Sequence, residues 1–136
     1  MNNNEKEMRN SRNSFELEGN VANINDIYTN QNGKKILRFD LAQNNNGNTQ
    51  YVPIVLRGDL VNSYGNEIQK GDWISVKGRI STYQKDVVKD GKTYKDKAID
   101  ILGFEVTDRK NNKVYTSDGQ IHTKTSNKEE DNEMER

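Results

Sequence analysis

Between Phe15 and Val106 the apolar side chains recur at every second position, a period that suits strands, because a strand turns alternate residues to one face. Phe15, Leu17, Gly19 and Val21 share one parity, while Glu16, Glu18 and Asn20 take the other. Leu37, Phe39 and Leu41 alternate in the same way with Arg38 and Asp40. In a third run Val52, Ile54 and Leu56 turn inward and leave Tyr51, Pro53, Val55 and Arg57 outward. The chain's single proline therefore needs a place where the ladder asks for no donor. A fourth run sets Ile74, Val76, Gly78 and Ile80 inward against Trp73, Ser75, Lys77, Arg79, Ser81 and Tyr83. The last, from about Tyr94 to Val106, carries Ala98, Ile99, Ile101, Leu102, Phe104 and Val106.

Turn chemistry punctuates these runs. Asn32-Gly33 and Asp90-Gly91 each mark a tight turn, and the polar stretch from Gln43 to Asn48 reads as a loop. Asp59 is placed to cap a short helix, LVNSYGNEI, ahead of the Lys70-Gly71 turn. Five strands with a helix between the third and fourth give an all-β, five-stranded barrel of the OB-fold type, whose closure removes most exposed edges. The ends lack the means to join it. Residues 1–14 hold no apolar side chain but two methionines, and residues 107–136 hold only Val114, Tyr115, Ile121 and Met134. Such stretches do not offset the entropy of ordering, so the reading is a disordered arm at 1–14, a barrel at 15–106 and a disordered tail at 107–136. Deletion after Val106 is then expected to leave the barrel folded.

Composition removes several chemistries. There is no cysteine, which excludes thiolate metal sites, disulfides and cysteine nucleophiles. The one histidine, His122, lies in a polar tail, and the carboxylates are scattered over turns and strand surfaces. No metal, no cofactor and no catalytic residue is expected, and a metal-dependent nuclease is disfavoured. No run of eighteen apolar residues and no apolar leader occurs, so a cytoplasmic protein without a membrane partner is expected. Residues 15–106 carry twelve basic and twelve acidic side chains, yet Lys77 to Lys97 alone carries seven basic against three acidic. That local excess suits a phosphate backbone better than the neutral total does.

Four segments, RFDLA at Arg38–Ala42, TQYVPIVLRGDL at Thr49–Leu60, KGDWISVKGRIST at Lys70–Thr82 and DGKTY at Asp90–Tyr94, resemble in order the bacterial single-stranded DNA-binding protein family. The resemblance spans residues 15–106, about two thirds of the chain. It implies an OB-fold that wraps single-stranded DNA as a dimer or tetramer, with outward aromatic rings stacked on bases. Tyr51 stands where the family usually has an outward Trp or Phe and inherits that role. Arg57 replaces a second common aromatic, and its guanidinium can stack or pair with phosphate. Tyr83 lies two residues before the usual hairpin aromatic, where Lys85 stands instead. Arg38, Lys77, Arg79, Lys89, Lys92, Tyr94 and Trp73 complete the candidate nucleic-acid contacts, Trp73 being equally suited to a subunit interface. The last ten residues hold five acidic and two basic side chains. They resemble the family's acidic tip, which recruits replication and repair proteins, in charge only, since its final Pro-Phe is missing. A phage or conjugative-plasmid member serving DNA replication, recombination or transfer fits these departures.

Two functions therefore stand. One is non-enzymatic, largely sequence-independent protection of single-stranded DNA. The other is a protein-interaction or oligomerisation module with weak or broad nucleic-acid binding, RNA and duplex DNA included.

Overall fold

The computed structural model describes residues 9–123. Eight strands and one helix follow in the order β1 (Phe15–Ile24), β2 (Tyr28–Thr29), β3 (Lys35–Asn45), β4 (Asn48–Arg57), α1 (Asp59–Tyr64), β5 (Trp73–Lys89), β6 (Lys92–Asp108), β7 (Lys113–Thr116) and β8 (Ile121–Thr123). β3, β1, β5 and β6 pair as antiparallel neighbours, and β4 pairs with β3 on one side and, in parallel, with β6 on the other. That last pairing closes a five-stranded all-β barrel, the OB-fold that the alternation predicts.

Inward parity and burial coincide through the middle of β3, β4 and β5. Leu37, Phe39, Leu41, Ile54, Leu56, Ile74 and Val76 are all buried in one core. Gly19 and Gly78 lie on the same inward rows. A Cβ at Gly78 would sit 1.9 Å from the Leu102 carbonyl oxygen, so only glycine lets the two strands approach there. Beside it the β5–β6 register slips between Lys77 and Gly78, with Lys77 opposite Glu105 and Gly78 opposite Gly103. The extra residue in β6 is Phe104, a bulge that lets Ile101 and Val106 reach the core although their parities differ. Pro53 immediately precedes the two residues that pair with β6, Ile54 and Val55, so its missing N–H falls outside the β4–β6 pairing.

Several expectations are corrected. Gln43–Asn45 and Asn48 are strand, because Asn46 and Gly47 both take positive φ (53° and 84°) and turn the chain in two residues. Asp59 is not the cap of α1: Gly58, at φ 64° and with its N–H on the Lys35 carbonyl, starts the helix one residue earlier. Val55 is outward yet buried, because β4 is flanked by both β3 and β6. Ile80 is inward by parity yet 46 % exposed, because β1 stops at Phe15, opposite Gly78, and no strand among the described residues covers the next row. Asn13 reaches it, donating from Nδ2 to the Ile80 carbonyl and accepting from the Ile80 N–H through Oδ1, so the described end of the N-terminal arm is pinned to β5. Residues 1–8 and the acidic tip lie outside the described residues.

The largest correction concerns the segment after Val106, which continues the fold. β6 runs on to Asp108, β7 pairs with it, and β8 pairs with β7. Tyr115 is 1 % exposed and its ring lies 4.9 Å from that of Tyr64, centroid to centroid. Asp108, wholly buried, accepts from the Lys110 N–H and Asn111 Nδ2 and so shapes the turn into β7. Burial first, and then the nearby Asp108 and Asp72 charges, push the Tyr64 hydroxyl far above the ordinary tyrosine range.

Candidate nucleic-acid interface

The outer face of β3, β4, β6 and the far half of β5 is one continuous surface, and the registers place its side chains in rows. Tyr28, Ile36 and Arg57 form the first row, across β2, β3 and β4. Arg38, Val55, Leu102 and Arg79 form the second, across all four main strands. Next come Asp40 opposite Pro53, and Asp100 opposite Ser81. Ala42 opposite Tyr51, and Ala98 opposite Tyr83, end the barrel portion. Tyr51 precedes Ile54 by three residues, as Ala98 precedes the paired Ile101, so the two tyrosines stand at the same level of the face. The β5–β6 hairpin carries the surface outward through Lys85 opposite Asp96, Val87 opposite Tyr94, and Lys89 opposite Lys92.

Exposure separates the rings on this face from the core. Tyr51 is 60 % exposed, Tyr94 50 % and Tyr83 41 %, against complete burial of Tyr64. Their strands have strong reasons to form, yet these rings contribute little to packing. A flat, exposed ring on a rigid strand is what a stacked base needs.

The two arginines are ordered by a residue that the sequence reading missed. Asp100 has a side chain only 5 % exposed, and its Oδ1 accepts from Arg38 Nη1 at 3.3 Å while Oδ2 accepts from Arg57 Nη2 at 3.4 Å. Three strands thus contribute one cation, one carboxylate and one cation. Each guanidinium has five donors and lends few to Asp100, so others remain for phosphate or base edges. Asp100 could have been suspected from AIDILGF, since a carboxylate among apolar strand residues requires a cationic partner. Tyr28 was missed as well. It is 61 % exposed but sits in a two-residue strand with no alternation to reveal it.

Charge follows the same division. Arg38, Arg57, Arg79, Lys85, Lys89 and Lys92 share the face with three carboxylates, Asp40, Asp96 and Asp100. Lys95 lies on the hairpin's other side, paired with Asp86 at 2.7 Å. Two candidates stand apart. Lys77 is opposite Glu16 and Glu105 and pairs with the latter at 3.7 Å. Trp73 is 43 % exposed but lies opposite Asn20 at the start of β5, ten residues and about 33 Å of extended strand from Tyr83. Close by, Arg109 pairs with Glu18.

Residues 12–107 match the model of the single-strand binding protein family, well over half of the chain and nearly all of the barrel. The chain belongs to that family. Single-stranded DNA binding, in general terms, comes with the membership. No curated protein matches the chain. Among solved structures it is similar to the dimeric N-terminal domain of PriB protein from Thermoanaerobacter tencongensis, with 18 % identity and a TM-score of 0.54 over 71 % of this chain and 94 % of that one. It is also similar to the mitochondrial single-stranded DNA binding protein Rim1 of S. cerevisiae, with 15 % identity and a TM-score of 0.55 over 71 % and 93 %. At these identities the likeness is one of fold. Among the described residues no helix is long and apolar enough to cross a membrane.

Proposed function

We propose that this family member is a non-enzymatic protein that binds and protects single-stranded DNA during replication, recombination or transfer, with the strand running over the outer face of β3, β4, β6 and the β5–β6 hairpin. The observation that carries this is the convergence of exposed Tyr51, Tyr83 and Tyr94 with Arg38, Arg57, Arg79, Lys85, Lys89 and Lys92 on that one face. Rings stack on bases without reading them, and cations follow the backbone and release its counterions. Lys77 and Trp73 have weaker claims, because one is engaged by carboxylates and the other is distant. Assembly into a homo-oligomer belongs to the same reading. The exposed inner-face pair Ile80 and Ile99, 46 % and 64 % exposed, offers apolar surface that a second copy would cover. Recruitment of replication or transfer proteins would fall to the acidic tip.

A titration with oligo(dT), duplex DNA and RNA at rising salt tests this function. Affinity for the single strand should exceed that for the duplex and fall steeply with salt. With about four to six phosphates neutralised, a fourfold rise in salt should cost roughly 50- to 350-fold. Salt-independent binding, or none at low salt, contradicts the reading. Equal affinity for all three would favour the broad interaction module.

A further inference from the structure

Beside the first row of the face lies a cleft of about 300 Å³ lined by Asn25, Asp26, Tyr28, Ile36 and Arg38. The chain between β1 and β2 forms one wall and is held at two points. The Asn25 N–H bonds the Arg38 carbonyl at 3.0 Å, and Ile27 packs so closely over Gly65 that a Cβ there would come within 3.2 Å of its Cδ1. The cleft is therefore built into the fold. Its lining brings together Ile36, the exposed Tyr28 paired with it across β2 and β3, and Arg38, which also belongs to the Asp100 cluster. Tyr28 is level with Arg57, six residues and about 20 Å along β4 from Tyr51. The tyrosines that carry the proposed function do not reach it.

Resting on that function, we propose that this cleft is a nucleobase subsite, filled by the base of a nucleotide whose phosphate is held at Arg38 and Arg57, and that it favours guanine. A base entering there lies against the Tyr28 ring and the adjoining Ile36 side chain, an aromatic and apolar surface that accepts any base. The remaining lining decides among them. Asp26 is an acceptor-only group, and a carboxylate pairs best with two adjacent donors. Guanine presents such a pair, its ring N1–H and exocyclic amine, on one edge. Cytosine and adenine present an amine beside a bare acceptor. Thymine flanks its single N–H with two carbonyl oxygens that repel the carboxylate. The order of preference is guanine first and thymine last, superimposed on otherwise sequence-independent binding.

The test uses the full chain with two oligonucleotides of equal length, one all thymidine and one with single guanines interspersed. Wild-type protein should bind the guanine-containing strand several-fold more tightly. Asp26→Asn should abolish that preference by weakening the guanine-containing complex and tightening the oligo(dT) complex, since the repulsion of thymine's carbonyl oxygens is lost, and Tyr28→Ala should weaken both complexes about tenfold. Both side chains are exposed, so the variants should keep the wild-type melting temperature. Unchanged binding by Tyr28→Ala overturns the subsite, and a wild type indifferent to guanine overturns its recognition by Asp26. Failure of the wild type to bind either strand would instead strike the proposed function.

Discussion

A chain ended at Val106 should not fold, and Tyr115→Ala in the full chain should cost about 3–5 kcal/mol of stability. Tyr115 is 1 % exposed, joins the core of the barrel and packs its ring against that of Tyr64. Truncation removes it together with Thr107, Asp108 and the β7 ladder, exposing the β6 edge at Glu105 and Val106 and the apolar side of α1. A small domain holds only about 5–15 kcal/mol in all, so the single substitution takes a large share and the truncation exceeds it. Urea denaturation of the Tyr115→Ala variant and circular dichroism of the truncated chain measure both. A truncated chain that melts cooperatively near the full-length temperature would show that β7 and β8 merely decorate the barrel.

The second large effect is on binding. Tyr51→Ala and Tyr83→Ala should each weaken the single-stranded DNA complex by about 1–3 kcal/mol, because each removes a ring available to one base. The melting temperature should hardly change, since Tyr51 is 60 % and Tyr83 41 % exposed and neither belongs to the core. Because the two rings stand at one level of the face, a strand that runs across β4 and β6 meets both, and the double variant should lose more than either single one. Additivity would mean separate nucleotides, and a shortfall would mean a shared one. Loss of stability equal to the loss of binding would place the rings in the packing instead.

How far the sequence could be read follows from which forces are local. Strand parity depends on neighbours two residues apart, so the inward rows of β1, β3, β4 and the first part of β5 were legible, and with them the barrel. What depends on distant partners was not. Val55 is buried by flanking strands and Ile80 is left open by the end of β1, neither of which parity can report. Composition failed at Tyr115 for a related reason: an average over residues 107–136 is dominated by polar side chains, while one buried ring anchors the segment. At the interface, the outward positions of Tyr51, Arg57 and Tyr83 were visible in the alternation. The carboxylate that orders Arg38 and Arg57 was not, because Asp100 lies at least 43 residues from either arginine in sequence.

Amide chemical-shift mapping during titration with oligo(dT) reports whether the DNA strand lies on the outer face of β3, β4, β6 and the β5–β6 hairpin. DNA bound there should shift the amides of Arg38, Tyr51, Arg57, Arg79, Tyr83 and Tyr94, with Arg38 and Arg57 side-chain signals moving as their guanidinium groups take up phosphate. Amides around Trp73 and on β1 should stay still. Shifts concentrated at Trp73, Glu18 and Arg109, with the Tyr51 and Tyr83 signals unmoved, would put the DNA on the opposite end of the barrel and rule this face out.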